Sequence, residues 1–428
     1  MSTMPIIVFL TLLAPADATT VQQACLGSNP QCREVTRIME RRDVQRAWEY
    51  IQRTDERALD ELIMLTQIPA PPFKEERRAR RYAEMLREAG ADSVWIDEVG
   101  NVLALRRGTK GGRTVAIAGH MDTVFPEGTD VTVRMRGDTL FAPGVGDDTR
   151  GLIVVLQVLR ALEAAEIETD ADLLFIGTVG EEGLGDLRGV KHLFRDDGPG
   201  IEAWIAVDGG GDDRIVHRAL GSRRYRVTFR GPGGHSWGAF GLGNPAHALG
   251  RAIRIFDGAA DAFTADGPRT SYNVGRIGGG TSINSIPAES WMEVDMRSVS
   301  QDRLAQVDSL FRANMQRALE EQNAARRAGP PLTVAVELVG DRPSGTVDPS
   351  TPLVRRAQAA TRIFGAEPRL TISSTDSNVP ISLGVPAITI GRGGEGGDNH
   401  SPDEWWRNVD GHRAIQRTLL VLVSEAGI

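Results

Sequence analysis

Short uninterrupted apolar runs alternate along much of the chain with longer stretches in which apolar residues recur at helical spacing. The runs at 114–118, 173–178 and 204–207 predict buried strands, and the stretches at 75–90 and 151–165 predict helices packed on them. This alternation predicts an α/β domain built on a mixed sheet. Further elements of the same style are predicted at 33–65, 93–96, 101–105, 352–364, 387–390 and 409–425.

A different pattern begins near residue 219. Residues 224–230 alternate apolar side chains with arginine and threonine, as a strand with one exposed face does. The elements that follow are predicted as a helix, two strands, a second helix and a last strand, at 245–260, 271–277, 291–297, 302–326 and 332–338. This β-α-β-β-α-β order is ferredoxin-like. We therefore expect an inserted α+β domain at 219–340, between catalytic-domain parts at 21–218 and 341–428.

Acids and histidines follow the predicted strands of the α/β domain. The residues in this position are His120, Asp122, Glu181, Glu182, Asp208 and, after the strand at 387–390, His400. Open α/β sheets bind ligands at the carboxyl ends of their strands, so these side chains are expected to meet. Asp147 and Asp148 precede the helix at 151–165, where paired acids taken alone would be interpreted as N-caps.

Five of these residues suit a pair of metal ions, namely His120, Asp147, Glu182, Asp208 and His400. Two imidazoles and three carboxylates can hold two zinc ions when one carboxylate bridges them. Metals about 3.5–4 Å apart activate a shared water and stabilise an oxyanion. Glu181 is not needed for coordination and can act as a general base, and Asp122 can accept the second ring N–H of His120.

The motifs HMDTV, GDDTRG, EEG, VDG, GPGGHS and NHSPDEW, in this order over about residues 60–428, resemble the dinuclear zinc metallopeptidase and aminoacylase family. Glutamate carboxypeptidase, peptidase T, succinyl-diaminopimelate desuccinylase and aminoacylase belong to that family. The resemblance implies that Asp147 bridges two Zn²⁺ ions, with Co²⁺ or Mn²⁺ as alternatives. It implies that His120 and Asp208 complete one site and that Glu182 and His400 complete the other.

The resemblance also implies roles around the metals. Glu181 would take a proton from the bridging water and return it to the leaving amine, and Asp122 would orient His120. The peptide bond after the bridging aspartate is often cis in the family, so a cis Asp147–Asp148 bond is expected. One departure is Thr149, where many relatives have lysine. We expect this departure to affect packing or tuning and not the reaction class.

The predicted insert acquires a role from the same resemblance. His235 would donate to the oxygen of the scissile carbonyl, and in dimeric relatives this histidine comes from the partner's insert. Asn284 and Arg297 match lid residues that hold substrate, and Gly393 lies in a glycine-rich loop whose amides can also bind it. Turn chemistry at Asn284 and a solvated strand position at Arg297 are the structural alternatives. A homodimer through the insert is expected.

Composition and the N-terminus limit partners and location. The chain has 428 residues, 25% of them charged, and a net charge of -8, which argues against nucleic acid as a partner. Residues 1–20 combine an apolar run with a small-x-small site, as a signal peptide does, although they lack Lys and Arg. We expect a secreted or periplasmic protein without a membrane segment, with a local disulfide between Cys25 and Cys32. If residues 1–20 are not a signal peptide, a cytoplasmic protein is expected.

The sequence thus predicts a metallohydrolase that cleaves an amide bond in small peptides or N-acyl amino acids, of exopeptidase, dipeptidase or tripeptidase type. Arg297 and the glycine loop favour a free α-carboxylate on the leaving side. The alternatives are a non-catalytic scaffold and an enzyme that uses one metal, or manganese or cobalt, on a non-peptide amide such as a carbamoyl or ureido group. Residues 1–60 have no counterpart in the motif set.

Overall fold

The structure, a computed structural model, describes residues 29–428. The predicted signal peptide at 1–20 and Cys25 of the predicted disulfide lie outside the described residues. The helices of the described chain are α1 Pro30–Met39, α2 Arg42–Arg53, α3 Asp55–Thr66, α4 Glu76–Glu88, α5 Arg150–Ala164, α6 Arg188–Leu193, α7 Pro245–Thr264, α8 Gln301–Ala325, α9 Pro352–Ile363, α10 Asn378–Ser382 and α11 Gly411–Ala426. Within residues 29–428, no helix is both long and apolar enough to cross a membrane.

The strands of the described chain are β1 Ser93–Ile96, β2 Val102–Arg106, β3 Thr114–His120, β4 Arg134–Arg136, β5 Thr139–Phe141, β6 Asp172–Thr178, β7 Ile201–Asp208, β8 Arg214–Ala219, β9 Gly221–Arg230, β10 Gly234–His235, β11 Thr270–Gly279, β12 Ser285–Ile286, β13 Glu289–Ser298, β14 Thr333–Arg342, β15 Gly345–Thr346, β16 Arg369–Ser373, β17 Ala387–Gly391, β18 Glu395–Gly397 and β19 Trp405–Arg407.

The main sheet is mixed and has the order β1-β2-β6-β3-β7-β17-β8-β15, with β16 paired to β8. Its centre is parallel, because β3 pairs in parallel with both β6 and β7, and β17 pairs in parallel with β7. Strand β3 is buried from Val115 to His120, and α5 is buried along its first 13 residues, Arg150 to Leu162. The predicted mixed-sheet α/β architecture is therefore confirmed, and its buried parallel centre explains why these strands are uninterrupted apolar runs.

A second sheet has the order β11-β13-β9-β14, and all its pairs are antiparallel. Helices α7 and α8 cover one face and share a separate hydrophobic cluster with it, which includes Tyr225, Phe229, Phe256 and Phe311. Strand β13 alternates buried and half-buried residues along its whole length, as a sheet with one covered face does. The chain order here is the predicted β-α-β-β-α-β. The limits 219–340 and a lid function for this region stay predictions.

A small sheet, β18-β19-β5-β4, joins two distant parts of the chain next to the ends of the main strands. The glycine-rich segment around Gly393, predicted as a loop, leads within two residues into β18, so that prediction was too simple. Strand β19 pairs with both β18 and β5, and the backbone N–H of Ala142 donates to the Glu404 carbonyl at 3.0 Å. This sheet brings the loop that carries His400 beside the loop that carries Asp147.

The N-terminal helices belong to the main core. Val35, Val44 and Ile51 are buried in it. Arg356 of α9 forms ion pairs with Glu34 at 3.0 Å and with Glu425 at 2.7 Å, so α1, α9 and α11 are joined by charges as well as by apolar packing. Residues 30–53 therefore have a structural role, which the motif comparison alone left open.

Candidate active site

The predicted metal ligands lie at one edge of the main sheet. His120 is the last residue of β3 and Asp208 is the last residue of β7, two parallel neighbours. Glu182 follows β6 by four residues, in the loop before α6. Asp147 lies in the turn 145–149 that leads into α5, and His400 lies between β18 and β19. The strand ends and the small sheet together account for the meeting of residues spread over most of the chain.

Two groups of potential ligand atoms share Asp147. His120, Asp147 and Asp208 form one group, and Asp147, Glu182 and His400 form the other, each with its atoms within 4.8 Å of one another. His120 Nε2 lies 3.0 Å from Asp147 Oδ1, and His400 Nε2 lies 3.3 Å from Asp147 Oδ2 and 2.9 Å from Glu182 Oε1. A third group joins His120 to Glu181 and Glu182. The first two groups have the composition predicted for the two metal sites.

Burial and mutual attraction set the charges of this cluster. Burial would lower the pKa of His120, but the hydrogen bond to Asp147 and the nearby carboxylates outweigh it and raise the pKa well above its usual value. Hydrogen bonds to Asp147 and Glu182 raise the pKa of His400 to about 10. Burial opposes ionisation of Asp147, yet its hydrogen bonds to both histidines lower its pKa. The cluster therefore attracts cations strongly, and a divalent ion would compete with the protons on these histidines.

Asp122 and Asp148 accept hydrogen bonds from the backbone at or next to the predicted metal ligands. His120 Nδ1 lies 3.0 Å from the carbonyl oxygen of Asp122 and 3.9 Å from its carboxylate. The ring therefore contacts the backbone of Asp122 and not the side chain that the sequence predicted as its partner. The carboxylate instead accepts from the N–H groups of Glu181 and Glu182, at 3.1 and 2.8 Å. Asp148 accepts from the backbone N–H of His120 at 3.1 Å, and the Asp147–Asp148 bond is cis, as expected.

Glu181, the predicted base, is 5% exposed and lies against a buried arginine that the sequence did not single out. Arg342 Nη1 donates to Glu181 Oε1 at 3.2 Å and to Ser374 Oγ at 3.1 Å. Burial raises the pKa of Glu181 well above its usual value, and the Arg342 charge works against that rise. Arg342 ends β14, so the second sheet reaches the site through this residue.

Glu404 was missed as a site residue, although it lies within the NHSPDEW motif. Its fully buried carboxylate accepts three backbone N–H groups, from Gly144 at 2.8 Å, Gly146 at 2.9 Å and Asp147 at 2.8 Å. Burial raises the pKa of Glu404 to about 7, against the effect of these bonds. The carboxylate anchors the loop that presents Asp147. An acid four residues after a candidate ligand histidine was the available signal.

The predicted substrate residues divide into two groups. Arg297 lines a cavity of about 350 Å³ together with all of the metal candidates except His120, and its Nε donates to Asp295 at 2.7 Å. Three further arginines line the same cavity: Arg214, Arg224 and Arg342. Gly393 lines an adjoining cavity of about 520 Å³. The metal centre thus opens into a space rich in guanidinium groups.

His235 and Asn284 are exposed and lie outside both cavities within this chain. They lie close together at the β10–β12 pair, because His235 pairs with Ser285 and the Ser236 N–H donates to the Asn284 carbonyl at 2.8 Å. Large apolar side chains surround them on the surface: Trp237 is 87% exposed, Phe240 73% and Ile283 fully exposed. A single copy of the chain therefore does not bring these two predicted residues to the metal candidates.

Comparison with known proteins places the chain in a family. Peptidase family M20/M25/M40 matches residues 116–424, which is more than half of the chain. The protein YqjE of Bacillus subtilis is 26% identical over 360 residues, 80% of this chain and 91% of the relative. Succinyl-diaminopimelate desuccinylase of Corynebacterium glutamicum is 29% identical over 254 residues, 56% of this chain and 66% of that enzyme. A protein of Pyrococcus abyssi that is named as a hydrolase is 32% identical to this chain, over 53% of that protein's length.

Solved structures share the fold. Aminopeptidase PepT from Bacillus cereus superposes with a TM-score of 0.68 at 22% identity, over 87% of this chain and 99% of that chain. The predicted enzyme class, a metallopeptidase or amidohydrolase, is confirmed by the family match and the relatives in sequence. The chain belongs to peptidase family M20/M25/M40.

Proposed function

We propose that this protein is a two-zinc hydrolase that cleaves an amide bond in small peptides or N-acyl amino acids. The observation that carries the proposal is the pair of ligand groups that share Asp147. Two imidazoles and three carboxylates that lie close together are a donor set that suits zinc; His120 and Glu182 are buried, Asp147 and Asp208 half-buried and His400 exposed. Co²⁺ or Mn²⁺ could occupy the same oxygen and nitrogen donors.

The residues that would hold the metals are His120 and Asp208 on one side of Asp147, and Glu182 and His400 on the other. Two divalent ions held by these residues would supply Lewis acidity for the activation of water and for the polarisation of the scissile carbonyl. Asp148 and Glu404 hold the backbone of the ligands, through His120 N–H and the three N–H groups before and at Asp147. Such supporting contacts keep ligand geometry fixed without taking part in coordination.

Glu181 is proposed as the general base. It adjoins the ligand Glu182, and Arg342 holds its carboxylate at 3.2 Å in a buried position. Glu181 would accept the proton of the attacking water at its carboxylate and then donate it to the leaving nitrogen, so that the carboxylate is regenerated in each cycle. Asp122 would support this step by accepting the backbone N–H groups of Glu181 and Glu182.

Substrate recognition is proposed to depend on Arg297 and on the loop around Gly393. A guanidinium can bind a carboxylate through two parallel hydrogen bonds, and Arg297 lines the cavity of the metal candidates. A free α-carboxylate on the leaving side follows, which makes the enzyme an exopeptidase, dipeptidase or tripeptidase.

A homodimer is proposed to complete the site. His235 and Asn284 are exposed beside Trp237, Phe240 and Ile283, an apolar patch of the kind that marks a protein interface. A second copy that covers this patch could bring its own His235 to the carbonyl oxygen of the substrate, where an imidazole would stabilise the developing negative charge.

A secreted or periplasmic location is proposed on the basis of residues 1–20.

The proposed reaction is tested with a panel of dipeptides, tripeptides, N-acetyl amino acids and ureido acids, offered to protein whose zinc content has been measured. Cleavage of peptide or N-acyl substrates that stops on chelation and returns with zinc is the expected result. Cleavage of ureido compounds alone would replace the proposed substrate class. Absence of any cleavage by protein that holds two zinc ions would overturn the proposed activity.

A further inference from the structure

Two arginines without a predicted role converge beside the metal candidates. Arg392 follows β17, and Arg214 begins β8. A Cβ atom placed on Gly209, the residue after Asp208, would lie 2.9 Å from Arg392 Nη1, 3.6 Å from Asn399 Nδ2 and 3.8 Å from Arg214 Nη1. Two guanidinium groups and one amide therefore point at the same small region.

Among the residues that the structure describes, neither arginine has a carboxylate partner of its own. Within residues 29–428, Arg214 donates to the carbonyl of Gly209, and the buried Nε and Nη1 atoms of Arg392 have no hydrogen-bond partner. Arg392 is only 3% exposed. A buried guanidinium without a partner is costly, and two that converge repel each other. Arg392 interacts electrostatically with Asp147, but Asp147 is a metal ligand in the proposed function, so its charge would be compensated by the metals.

The backbone is shaped to admit this arrangement. A side chain on Gly209 or on Gly396 would come within 2.9 Å of an Arg392 nitrogen, and one on Gly146 would come closer still. Three glycines from three separate segments of the chain thus leave the space that the guanidinium occupies. The close fit indicates that Arg392 holds a defined position and is not a mobile surface residue.

The region lies where the two cavities meet. The cavity of about 520 Å³ that Arg392 lines and the cavity of about 350 Å³ that Arg214 lines share Gly210 and Asn399. Glu395 also lines the larger cavity, but its carboxylate pairs with Arg407. A ligand in the metal cavity can therefore extend past Asn399 toward Arg392 and Arg214.

We propose that Arg214 and Arg392 form an anion subsite for a second carboxylate of the substrate, in addition to the one expected at Arg297. The preferred substrates then carry two carboxylates, one of them on an acidic side chain or at the end of an acyl group. This proposal rests on the proposed function, because it assigns Asp147 and Asp208 to metals.

Matched substrate pairs test the subsite. N-succinyl-alanine is compared with N-butanoyl-alanine, and Glu-Ala and Ala-Glu with their glutamine counterparts. We expect the wild type to prefer the acidic member of at least one pair by about tenfold or more in kcat/KM, the size expected for one charge-assisted hydrogen bond. Arg214→Met and Arg392→Met should raise KM for that acidic substrate at least about tenfold, with KM for its neutral partner changed by less than about twofold. Arg392→Lys should restore part of the preference.

Controls separate the subsite from other causes. Arg254→Met removes one charge from an exposed position on α7, where the side chain is 71% exposed, and should leave every preference unchanged. Zinc content and thermal unfolding are measured for each variant. If both methionine variants lose zinc and affect acidic and neutral substrates equally, the arginines only balance the ligand carboxylates and the proposal is overturned. Arg214→Met keeps the test open if Arg392→Met does not fold.

Binding of glutarate by calorimetry separates failure of the subsite from failure of the proposed function. If the panel is not hydrolysed at all, glutarate should still bind the wild type, and at least about tenfold more weakly to Arg214→Met. Equal glutarate affinity in the wild type and both methionine variants would refute the subsite. Binding of inorganic phosphate in preference to glutarate would refute the assignment to a carboxylate substrate.

Discussion

Replacement of Glu404 by glutamine should weaken metal binding although Glu404 is not a ligand. In the wild type, Oε1 accepts the N–H groups of Gly146 and Asp147, and Oε2 accepts that of Gly144. Glutamine keeps one oxygen and turns an N–H₂ group toward one buried donor, so at least one charge-assisted bond is lost, about 1.5–3 kcal/mol. Because these donors lie in the loop that presents Asp147, loss of the bond should make the position of Asp147 less fixed and so weaken both proposed metal sites.

Supporting residues around metal ligands commonly contribute about 10–100-fold to metal affinity, and the same range is expected for Glu404→Gln. Competition with a zinc chelator measures the affinity, and urea unfolding of metal-free protein measures the loss of stability. Glu367→Gln is a matched control, since the Glu367 side chain is 81% exposed and pairs with Arg362 at the surface. Unchanged zinc affinity in Glu404→Gln, with a normal fold, would refute this reasoning.

Four further predictions follow from the same geometry. Glu181→Gln should retain zinc and reduce kcat by about 10²–10⁴-fold, whereas near wild-type turnover would exclude Glu181 as the base. Arg297→Met should raise KM about tenfold for substrates with a free α-carboxylate and leave amide-capped analogues unchanged, and an equal effect on both would contradict a carboxylate contact. Burial and the hydrogen bond to Asp308 raise the pKa of Tyr225 to about 12, so the folded state keeps a proton that the unfolded state loses above about pH 10. The free energy of unfolding should therefore fall as pH rises from about 10 to 12, and Tyr225→Phe should make that fall less steep in urea unfolding series. An equally steep fall in Tyr225→Phe would show that the pKa of Tyr225 is not its cause. Trp237→Ser should shift a dimer toward monomer in light scattering, and an unaltered dimer would exclude this patch as the interface.

The metal candidates could be found from the sequence because each lies next to a strong local signal. His120 and Asp208 end buried apolar runs, and Glu182 follows another, so the rule that α/β sheets bind ligands at strand ends was enough to group them. Helix α5 was equally clear from its spacing, which placed Asp147 at its start. The separate second sheet could be expected from the change to alternating strands near residue 219.

Other parts of the site depend on contacts between distant residues that no local pattern encodes. Arg342 is 161 positions away from Glu181 in the sequence, and Glu404 is 260 positions away from Gly144. The three-residue strands β18 and β19 are too short for a periodicity to be recognised. The Asp122 carboxylate was expected at His120, but backbone N–H groups of the next loop compete for it. His235 was expected at the substrate, and its exposed position outside the two cavities becomes visible only once the fold is known.

Metal content of ligand variants tests the central claim most directly. Zinc per chain is measured by mass spectrometry after reconstitution of the wild type, Asp208→Asn, His400→Ala and Asp147→Ala. The shared position of Asp147 predicts about two zinc ions in the wild type, one in each of the single-site variants and fewer than one in Asp147→Ala. A variant without Asp147 that still binds two zinc ions, or a wild type that binds none, would contradict the account.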